Sequence, residues 1–570
     1  MIEENQEYDA IIIGSGISGG WAAKELCENG LKTLVLERGR MIEHIKDYTT
    51  ANLDPWDFEF RGELTKKIKE RKAKQGRTGY VTKPASEHFF VDDIDHPYSE
   101  TKRFDWIRGY HLGGRSITWG RHCYRWSSMD FKANKNDGFG VDWPIRYEDI
   151  APWYDKVEEY IGVQGENMDL PQLPNGKYSP PFGFNCVEEY LREKVAENFD
   201  DRIIGHARTA HITGDAKHEG RSKCQYRNRC IRGCPFGGYF SSLSSTLPAA
   251  EKTGNMTIRT NSIAYKIEYD DKTKLATGVK VIDTLTKEKL FFKSSIIFCC
   301  ASSIASASIL MQSKSERFPN GLGNDSGELG CNIMDHHLEI GASADAPEGF
   351  EDEYYKGRKP AGFYIPRFVN LGDGKTDKKN YKRGFGYQGN ASRQGWTRGI
   401  AEMSYGKDLK NELLKPGKWR IGMTGFGECL PYHENKMTLD YDNLDQWGLP
   451  TINFDCEFKE NEANMRVDIK AEAIAMLKAA GFKEVRGHDN PSFIGNGIHE
   501  MGTARMGRDP KTSVLNDYNQ VHTVKNIYIT DGACMTSSAC QNPSLTYMAL
   551  TARAANHAAE QFKNNKFNKA

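Results

Sequence analysis

The clearest pattern of hydrophobic and polar positions lies near the start of the chain, where short apolar runs alternate with glycine-rich turns. Ala10–Ile13 is a continuous apolar run, typical of a buried parallel strand. Trp21–Glu28 has helical character, and Gly30 is a plausible end for that helix. Thr33–Leu36 is a second apolar run and leads directly into Glu37. This order predicts a strand–helix–strand unit built on a parallel sheet.

Three glycines between the first strand and the helix have the spacing G-x-G-x-x-G: Gly14, Gly16 and Gly19. The first permits a tight turn, the second lets the backbone approach a pyrophosphate, and the third allows close packing of helix on strand. The helix N-terminus favours phosphate charge, and Glu37, followed by Arg38, stands where an acid can bind a ribose hydroxyl. Together they predict a dinucleotide site and disfavour NADP, but they do not separate FAD from NAD.

Composition narrows the function classes. The chain has 570 residues, which at roughly 100–200 residues per domain favours two or more domains. Lys and Arg total 77, as do Asp and Glu, so no basic excess points to nucleic acid as a partner. No apolar run approaches the ~18–20 residues of a membrane helix. The longest, such as 296–301, are typical of buried strands.

The first residues, MIEENQEYDA, lack the charged and apolar regions of a signal peptide. We therefore expect that this chain carries no export signal of its own, or that one was removed. The cysteines number 13, at irregular spacing, which argues against a disulfide framework and favours folding in a reducing compartment.

Three cysteines stand together in the stretch CQYRNRCIRGCPFGG: Cys224, Cys230 and Cys234. A zinc site usually needs four ligands and often shows C-x2-C pairs, which are absent here. A disulfide would leave one thiol over, and unrelated core cysteines would be unusual in a segment this rich in arginine. An iron–sulfur cluster is the remaining interpretation, since thiolates are its usual ligands and three would suit a three-iron cluster. Zinc and a site without metal stay open as alternatives.

Six further stretches resemble the glucose–methanol–choline (GMC) oxidoreductase family, which binds FAD. They are RGYHLGGRSITWG (108–120), WPIRYEDIAPWYDKVEEYIGVQG (143–165), NDSGELGCNIMDHH (324–337), HEMGTARMG (499–507), NIYITDGA (526–533) and QNPSLTYMALTARAA (541–555). Within the family the likeness is strongest to bacterial sugar dehydrogenases, among them the large subunits of gluconate, fructose and glucose dehydrogenases and of glucoside 3-dehydrogenase.

The resemblance implies an α/β fold in which a Rossmann-like FAD-binding domain is interleaved with an α+β substrate domain. We expect the FAD-binding domain to gather 1–50, 105–125, 205–340 with the cysteine segment 221–238, and 495–565. We expect the substrate domain to gather 126–204 and 341–494, and 51–104 to be a lid or a partner-docking segment.

The resemblance also assigns two catalytic residues, His499 and Asn542. Oxidising a secondary alcohol requires removal of the hydroxyl proton and transfer of a hydride to flavin N5. A neutral imidazole suits the first task near neutral pH, and an amide beside it can hold the same oxygen. His336, His337, His488 and His522 lack this support, and we expect them to be structural residues.

Other positions matching the family's motifs are expected to border the FAD. They are Gly113, Gly114, Ser116, Trp119, Asp531, Gly532, Ala533, Asn542 and Ser544, besides Gly14, Gly16, Gly19, Glu37 and Arg38. Pyranose oxidases, which are relatives, carry a histidine that bonds covalently to the flavin where this chain has Thr118. The difference predicts noncovalent FAD.

The cysteine spacing matches the segment that holds a [3Fe-4S] cluster in the sugar dehydrogenase large subunits. A flavin takes up two electrons at once and a cluster passes them on singly, so the cysteines favour a dehydrogenase. The resemblance implies a small subunit and a cytochrome c acceptor. It also suggests export on the partner's signal to the periplasm, with the cytoplasm as the alternative.

For the substrate, the likeness favours C3 of a glucopyranoside, giving a 3-keto sugar, with gluconate, fructose or C1 of glucose as alternatives. The segment 351–396 is rich in Tyr, Phe, Gln and Asn, which suit a sugar or an ordinary surface equally well. An oxygen-using sugar 3-oxidase and a non-catalytic electron-transfer subunit are the competing hypotheses.

Overall fold

The computed structural model describes residues 7–79, 81–350, 359–395, 405–415 and 417–567. Residues 1–6, part of 351–396 and the end of the C-terminal tail therefore lie outside the described residues. The described strands are β1 (Glu7–Ile13), β2 (Thr33–Leu36), β3 (Ser99–Glu100), β4 (Gly205–His206), β5 (Met256–Arg259), β6 (Ser262–Asp270), β7 (Leu275–Asp283), β8 (Lys289–Cys299), β9 (Ile340–Asp345), β10 (Phe363–Ile365), β11 (Phe385–Arg393), β12 (Trp419–Gly427), β13 (Lys436–Leu444), β14 (Pro450–Asp455), β15 (Lys483–Asp489), β16 (Gln520–Val521) and β17 (Val524–Ile529).

The α-helices are likewise numbered in chain order. They are α1 (Ile17–Glu28), α2 (Lys66–Arg71), α3 (Ser128–Asp137), α4 (Tyr147–Ile161), α5 (Cys186–Asn198), α6 (Thr246–Lys252), α7 (Ser303–Gln312), α8 (Gly406–Leu414), α9 (Glu460–Ala479) and α10 (Ser544–Lys563).

The first of the sheets has eight strands. Its main path is β16-β17-β8-β1-β2-β5, and the antiparallel ribbon β6-β7 joins it through β8. The strands from β17 to β5 pair in parallel, and in β1 the register places Ile12 opposite both Val35 and Phe298. Helix α1 packs against α6 and α10 on this sheet. The predicted strand–helix–strand unit is therefore confirmed.

Two boundaries of that unit differ from the prediction, because burial overrides local propensity. β1 begins at Glu7 rather than Ala10, since Tyr8 is also buried. Helix α1 begins at Ile17 rather than Trp21, although Gly19 and Gly20 are poor helix formers. Gly20 is packed so tightly that a Cβ there would lie 2.5 Å from the Thr246 hydroxyl.

A second, six-stranded sheet has the order β15-β9-β12-β11-β10-β4 and is antiparallel throughout. Helices α5 and α9 pack together beside it, around a core that includes Leu191, Ile469 and Met476. The division into two interleaved domains stays a prediction. β4, which the sequence assigned to the FAD-binding segments, pairs with β10 of the second sheet because Gly205 and His206 lie opposite Tyr364 and Phe363.

A small third sheet, β13-β14-β3, ties the segment 51–104 to the rest of the chain. Within that segment Arg71 pairs with Asp92 at 2.8 Å and Arg77 with Glu100 at 2.7 Å. In the part of the chain that the structure describes, no helix combines the length and the apolar character needed to cross a bilayer.

Candidate functional site

One large cavity, of about 850 Å³, collects most of the residues singled out in the sequence. The cavity is lined by Gln388 of β11 and Phe426 of β12. It is also lined by three residues of the segment 51–104: Lys83, Phe90 and His96. The predicted residues bordering it are Gly14, Gly16, Glu37, Arg38, Gly114, Ser116, Trp119, His499, Asp531, Gly532, Asn542 and Ser544. Gly19, Gly113 and Ala533 lie behind this wall rather than on it.

The first three glycines have different surroundings. A Cβ on Gly19 would lie 1.9 Å from the Gly14 carbonyl oxygen, so only glycine allows helix α1 to pack this closely. Gly14 has φ +98°, and a Cβ there would lie 2.4 Å from the Cys300 carbonyl oxygen. A Cβ on Gly16 would meet nothing within 4 Å, because this residue faces the cavity. The open backbone at Gly16 is the place where a pyrophosphate can approach.

Ser15 connects the glycine turn to two other parts of the site. Its hydroxyl donates to the Glu37 carboxylate at 2.6 Å and accepts from the Gly113 backbone N–H at 2.9 Å. Glu37 also accepts from the Gly39 N–H at 2.9 Å. Burial raises the pKa of Glu37, while these hydrogen bonds oppose that rise. Ser15 was not predicted, since a variable position inside the glycine motif carries no signal of its own.

The Asp531 carboxylate holds together several loops at the cavity wall. It accepts from the Ser302 and Ala533 backbone N–H groups at 3.0 and 2.9 Å and from the Ser306 hydroxyl at 2.5 Å. Ser302 has φ +86°, a strained backbone for serine, and the bond to Asp531 holds it there. Burial raises the pKa of Asp531 to about 6. The carboxylate therefore organises the loops that surround the cavity.

His499 and Asn542 lie side by side on the cavity wall. The sequence predicted this pair from two separate motifs. The Asn542 Nδ2 and the His499 Nε2 are 3.4 Å apart. The Gln388 amide donates to the Asn542 Oδ1 at 2.5 Å, which directs the Asn542 NH₂ group toward the imidazole. Burial holds the pKa of His499 well below its usual range, so the ring is neutral near pH 7.

His336, which the sequence predicts to be a structural residue, lies directly behind His499. The two Nδ1 atoms are 2.8 Å apart, and the His336 Nε2 is 2.8 Å from the Ala539 carbonyl oxygen. Burial lowers the pKa of His336 to about 4. The preceding residue, Asp335, accepts the backbone N–H groups of both histidines, at 2.8 and 3.0 Å. The pair HH at 336–337 in the stretch NIMDHH was the available signal, but it does not tell which histidine turns toward the site.

The three clustered cysteines do not line the large cavity; they border a small one of about 30 Å³. Cys224, Cys230 and Cys234 are free thiols. Burial raises the pKa of Cys224 to about 11, and the nearby Cys230 and Cys234 add to that rise while Arg121 opposes it. The Cys230 Sγ is also 3.6 Å from the His211 Nε2.

No group of three or more His, Cys, Asp or Glu side chains among the described residues is arranged to hold a metal ion. The predicted [3Fe-4S] site is therefore not supported as a ready metal site, and neither is zinc. The three thiols border one cavity, and the nearby Arg121 guanidinium partly opposes the rise in the Cys230 pKa that burial causes.

The chain belongs to the GMC oxidoreductase family, the class that this fold and site define. An N-terminal family model matches residues 185–338 and a C-terminal one matches residues 431–551. The predicted family is thus confirmed, and membership supports FAD as the cofactor.

Curated relatives span nearly the whole chain. The fructose dehydrogenase large subunit of Gluconobacter japonicus is 26% identical over 97% of this chain and 98% of its own. The 2-methyl-1,2-propanediol dehydrogenase of Mycolicibacterium austroafricanum is 28% identical, covering 99% and 97%. The paromamine 6'-oxidase of Streptomyces fradiae is 24% identical, covering 97% and 91%. The chain is thus similar to enzymes that act on sugars and other alcohols.

Solved structures share the fold. Pyridoxine 4-oxidase from Mesorbium loti superposes with a TM-score of 0.59 at 15% identity, covering 98% of this chain and 99% of that one. Formate oxidase from Aspergillus oryzae RIB40 superposes with a TM-score of 0.59 at 13% identity, covering 100% of both chains. These likenesses confirm the predicted α/β architecture and carry no information on substrate.

Proposed function

We propose that this chain is an FAD-dependent dehydrogenase that oxidises a secondary alcohol of a pyranoside, with C3 of glucosides as the first choice. One observation carries the proposal: His499 and Asn542 point their polar atoms at each other on the wall of the cavity that also contains the glycine turn. A base and an amide donor thus stand at the same cavity as the dinucleotide-binding elements.

The residues at the cavity fit FAD. The open backbone at Gly16 suits the pyrophosphate, and the buried Glu37 carboxylate suits a ribose hydroxyl. When bound, FAD supplies a two-electron acceptor for the hydride of an alcohol carbon. Thr118 borders the cavity at the place where a histidine would be needed for a covalent bond, so we propose noncovalent binding.

His499 and Asn542 would share the substrate oxygen. The neutral His499 Nε2 accepts the hydroxyl proton, and the Asn542 NH₂ group donates to the same oxygen. Gln388 fixes which end of the Asn542 amide faces the oxygen, because it donates to the Oδ1. This geometry favours a catalytic chain over a non-catalytic electron-transfer subunit.

A panel of sugars with an artificial electron acceptor tests the substrate class. Turnover of methyl glucosides, with a 3-keto sugar as product, is the result we expect. Turnover confined to gluconate, fructose or C1 of glucose would replace the C3 assignment with one of those alternatives. No turnover of any pyranoside would reject the assignment to pyranosides.

We further propose that Cys224, Cys230 and Cys234 hold a [3Fe-4S] cluster that passes electrons to a partner. What supports this is their spacing, their shared cavity, and the likeness to the fructose dehydrogenase large subunit and to the gluconate 2-dehydrogenase flavoprotein of Pantoea cypripedii, which is 21% identical over 99% of this chain. A small subunit and a cytochrome c acceptor belong to this proposal. Periplasmic residence, with the cytoplasm as the alternative, belongs to it as well.

An oxygen-using oxidase is the second candidate function, because the curated relatives include the paromamine 6'-oxidase. The three clustered thiols favour the dehydrogenase, since an oxidase that reduces oxygen directly at the flavin needs no cluster. Rapid peroxide formation from a sugar in air, without an added acceptor, would favour the oxidase instead.

Replacing Gly16 by alanine separates FAD binding from folding. The added Cβ meets no protein atom within 4 Å and enters the space proposed for the pyrophosphate. We expect the retained FAD to fall at least about tenfold. The free energy of unfolding of the apoprotein should change by less than about 1 kcal/mol, as for glycine and alanine at a helix N-cap. Flavin absorbance and thermal unfolding measure the two effects.

Gly422→Ala is the matched control, since a Cβ there meets its nearest atom, in Ser343, only at 4.0 Å and Gly422 does not border the cavity. Full FAD content in Gly16→Ala would place the pyrophosphate elsewhere.

A further inference from the structure

We propose that His336 is a positioning residue that fixes the tautomer of His499, so that the unprotonated nitrogen of His499 faces the cavity. The inference rests on the function proposed above and adds a residue to it. It starts from a continuous chain of contacts that runs from the cavity through His499 and His336 to the backbone carbonyl of Ala539.

The proton positions along this chain follow from its far end. A carbonyl oxygen only accepts hydrogen bonds, so the His336 Nε2, 2.8 Å from the Ala539 oxygen, carries the hydrogen. In a neutral imidazole the other nitrogen is then an acceptor. The His499 Nδ1, 2.8 Å from the His336 Nδ1, must therefore be the donor. Its own Nε2 is left with a free lone pair, directed at the Asn542 NH₂ group.

The neutral state of His336 is essential to this assignment. If His336 were protonated, its Nδ1 would donate, the hydrogen on His499 would move to Nε2, and the base would be lost. Burial lowers the pKa of His336 to about 4, so the ring is neutral at physiological pH. The Ser538 and Ala539 carbonyl oxygens beside its second nitrogen act in the opposite direction and raise the pKa, but the effect of burial is larger.

The two rings are held in place from their backbones. One Asp335 oxygen accepts the N–H groups of His336 at 2.8 Å and His499 at 3.0 Å. The other accepts those of Gly495 at 2.7 Å and Gly497 at 2.9 Å. A single buried carboxylate thus joins segments that are far apart in sequence and sets the distance between the imidazoles.

Two substitutions at His336 separate hydrogen bonding from packing. His336→Leu removes the acceptor, whereas His336→Asn keeps an oxygen close to the position of the Nδ1. We expect His336→Leu to lower the limiting rate of anaerobic flavin reduction by sugar about 100-fold, the lower range for general-base catalysis, with the apparent substrate affinity nearly unchanged. His336→Asn should stay within about tenfold of the unmodified protein.

His337→Leu is the matched control, because His337 is equally buried and neither of its ring nitrogens has a hydrogen-bond partner among the described residues. It should reduce flavin at the normal rate. Equal losses in His336→Leu and His336→Asn would overturn the inference in favour of a packing role. If His336→Leu does not bind FAD, His336→Asn decides alone, and a loss above about tenfold overturns the inference.

Histidine ¹⁵N chemical shifts of the holoprotein test the tautomer without turnover. We expect a protonated Nδ1 and an unprotonated Nε2 on His499, assigned by the loss of these signals in His499→Asn. The reverse pattern overturns the inference whatever the substrate is. If neither the unmodified protein nor His337→Leu is reduced by any sugar, the proposed function fails instead, and the shifts still decide the tautomer.

Discussion

Replacing His499 by asparagine lowers the rate of anaerobic flavin reduction by a sugar about 10²- to 10⁴-fold, the usual contribution of one general base. The reason is the loss of the only imidazole nitrogen in the described site that lies against Asn542, at 3.4 Å. FAD should remain bound, because the glycine turn and Glu37 are untouched. Stopped-flow absorbance of the bound flavin measures the rate, and its absorbance at rest measures occupancy.

His488→Asn serves as the control, since His488 lies on β15 and does not border the cavity. The unmodified protein offers a second check through pH. Burial lowers the pKa of His499, so a smaller fraction of it is protonated at any given pH than of a histidine with the ordinary value near 6.5. The rate of flavin reduction should therefore show no loss from protonation of His499 as the pH falls from about 8 to about 6.5. A normal rate in His499→Asn would remove His499 from the chemistry.

Replacing Cys230 by serine should abolish electron transfer to a protein acceptor while leaving flavin reduction by sugar intact. The proposed cluster has three thiol ligands, and serine at one of them destroys the set. Iron content should fall from about three atoms per chain, as a three-iron cluster holds, toward none. Iron analysis and low-temperature EPR measure the cluster, and cytochrome c reduction measures the transfer.

Cys331→Ser is the matched control, because Cys331 is a partly exposed free thiol outside this cavity. It should keep both its iron and its transfer rate. Protein without iron in the unmodified form would contradict the cluster directly, and it would leave Cys224, Cys230 and Cys234 as structural thiols. The oxygen-using alternative would then become the better account of where the electrons go.

Local patterns were enough to predict the strand–turn–helix unit that we propose binds FAD. Gly14, Gly16 and Gly19 act over a few residues, between a strand and a helix that are continuous in sequence. His499 and Asn542 were predicted as well, because each lies in a motif that resembles the family. Their contact, which joins residues 43 positions apart, could be expected only through that resemblance.

The residues that hydrogen-bond to His499 and Asn542 and orient them could not be predicted in the same way. His336 lies 163 positions from His499, and Gln388 lies 154 positions from Asn542. Neither has a local pattern that distinguishes it from an ordinary core or strand residue. The orientation of a side chain depends on which parts of the chain pack together. Here Gln388 lies on β11, whereas His336, His499 and Asn542 lie outside the helices and strands.

For the cysteine segment, the sequence predicted which residues meet but not the state of the site. Its spacing is informative and brought three thiols to one small cavity, yet the side chains do not form a ready metal site among the described residues. Backbone strain marks this loop, with positive φ at Tyr226 and Asn228. Sequence spacing indicates which donors can meet, whereas the state of the site depends on what is bound there.

The most direct test of the account is a single-turnover experiment on the purified holoprotein without oxygen. The flavin absorbance is followed after mixing with methyl glucoside, either unlabelled or deuterated at carbon 3. We expect bleaching of the flavin by the sugar, slowed by deuterium at that carbon. A flavin that stays oxidised with this sugar and with gluconate, fructose and glucose would contradict the proposal that the cavity holding His499 and Asn542 oxidises sugars.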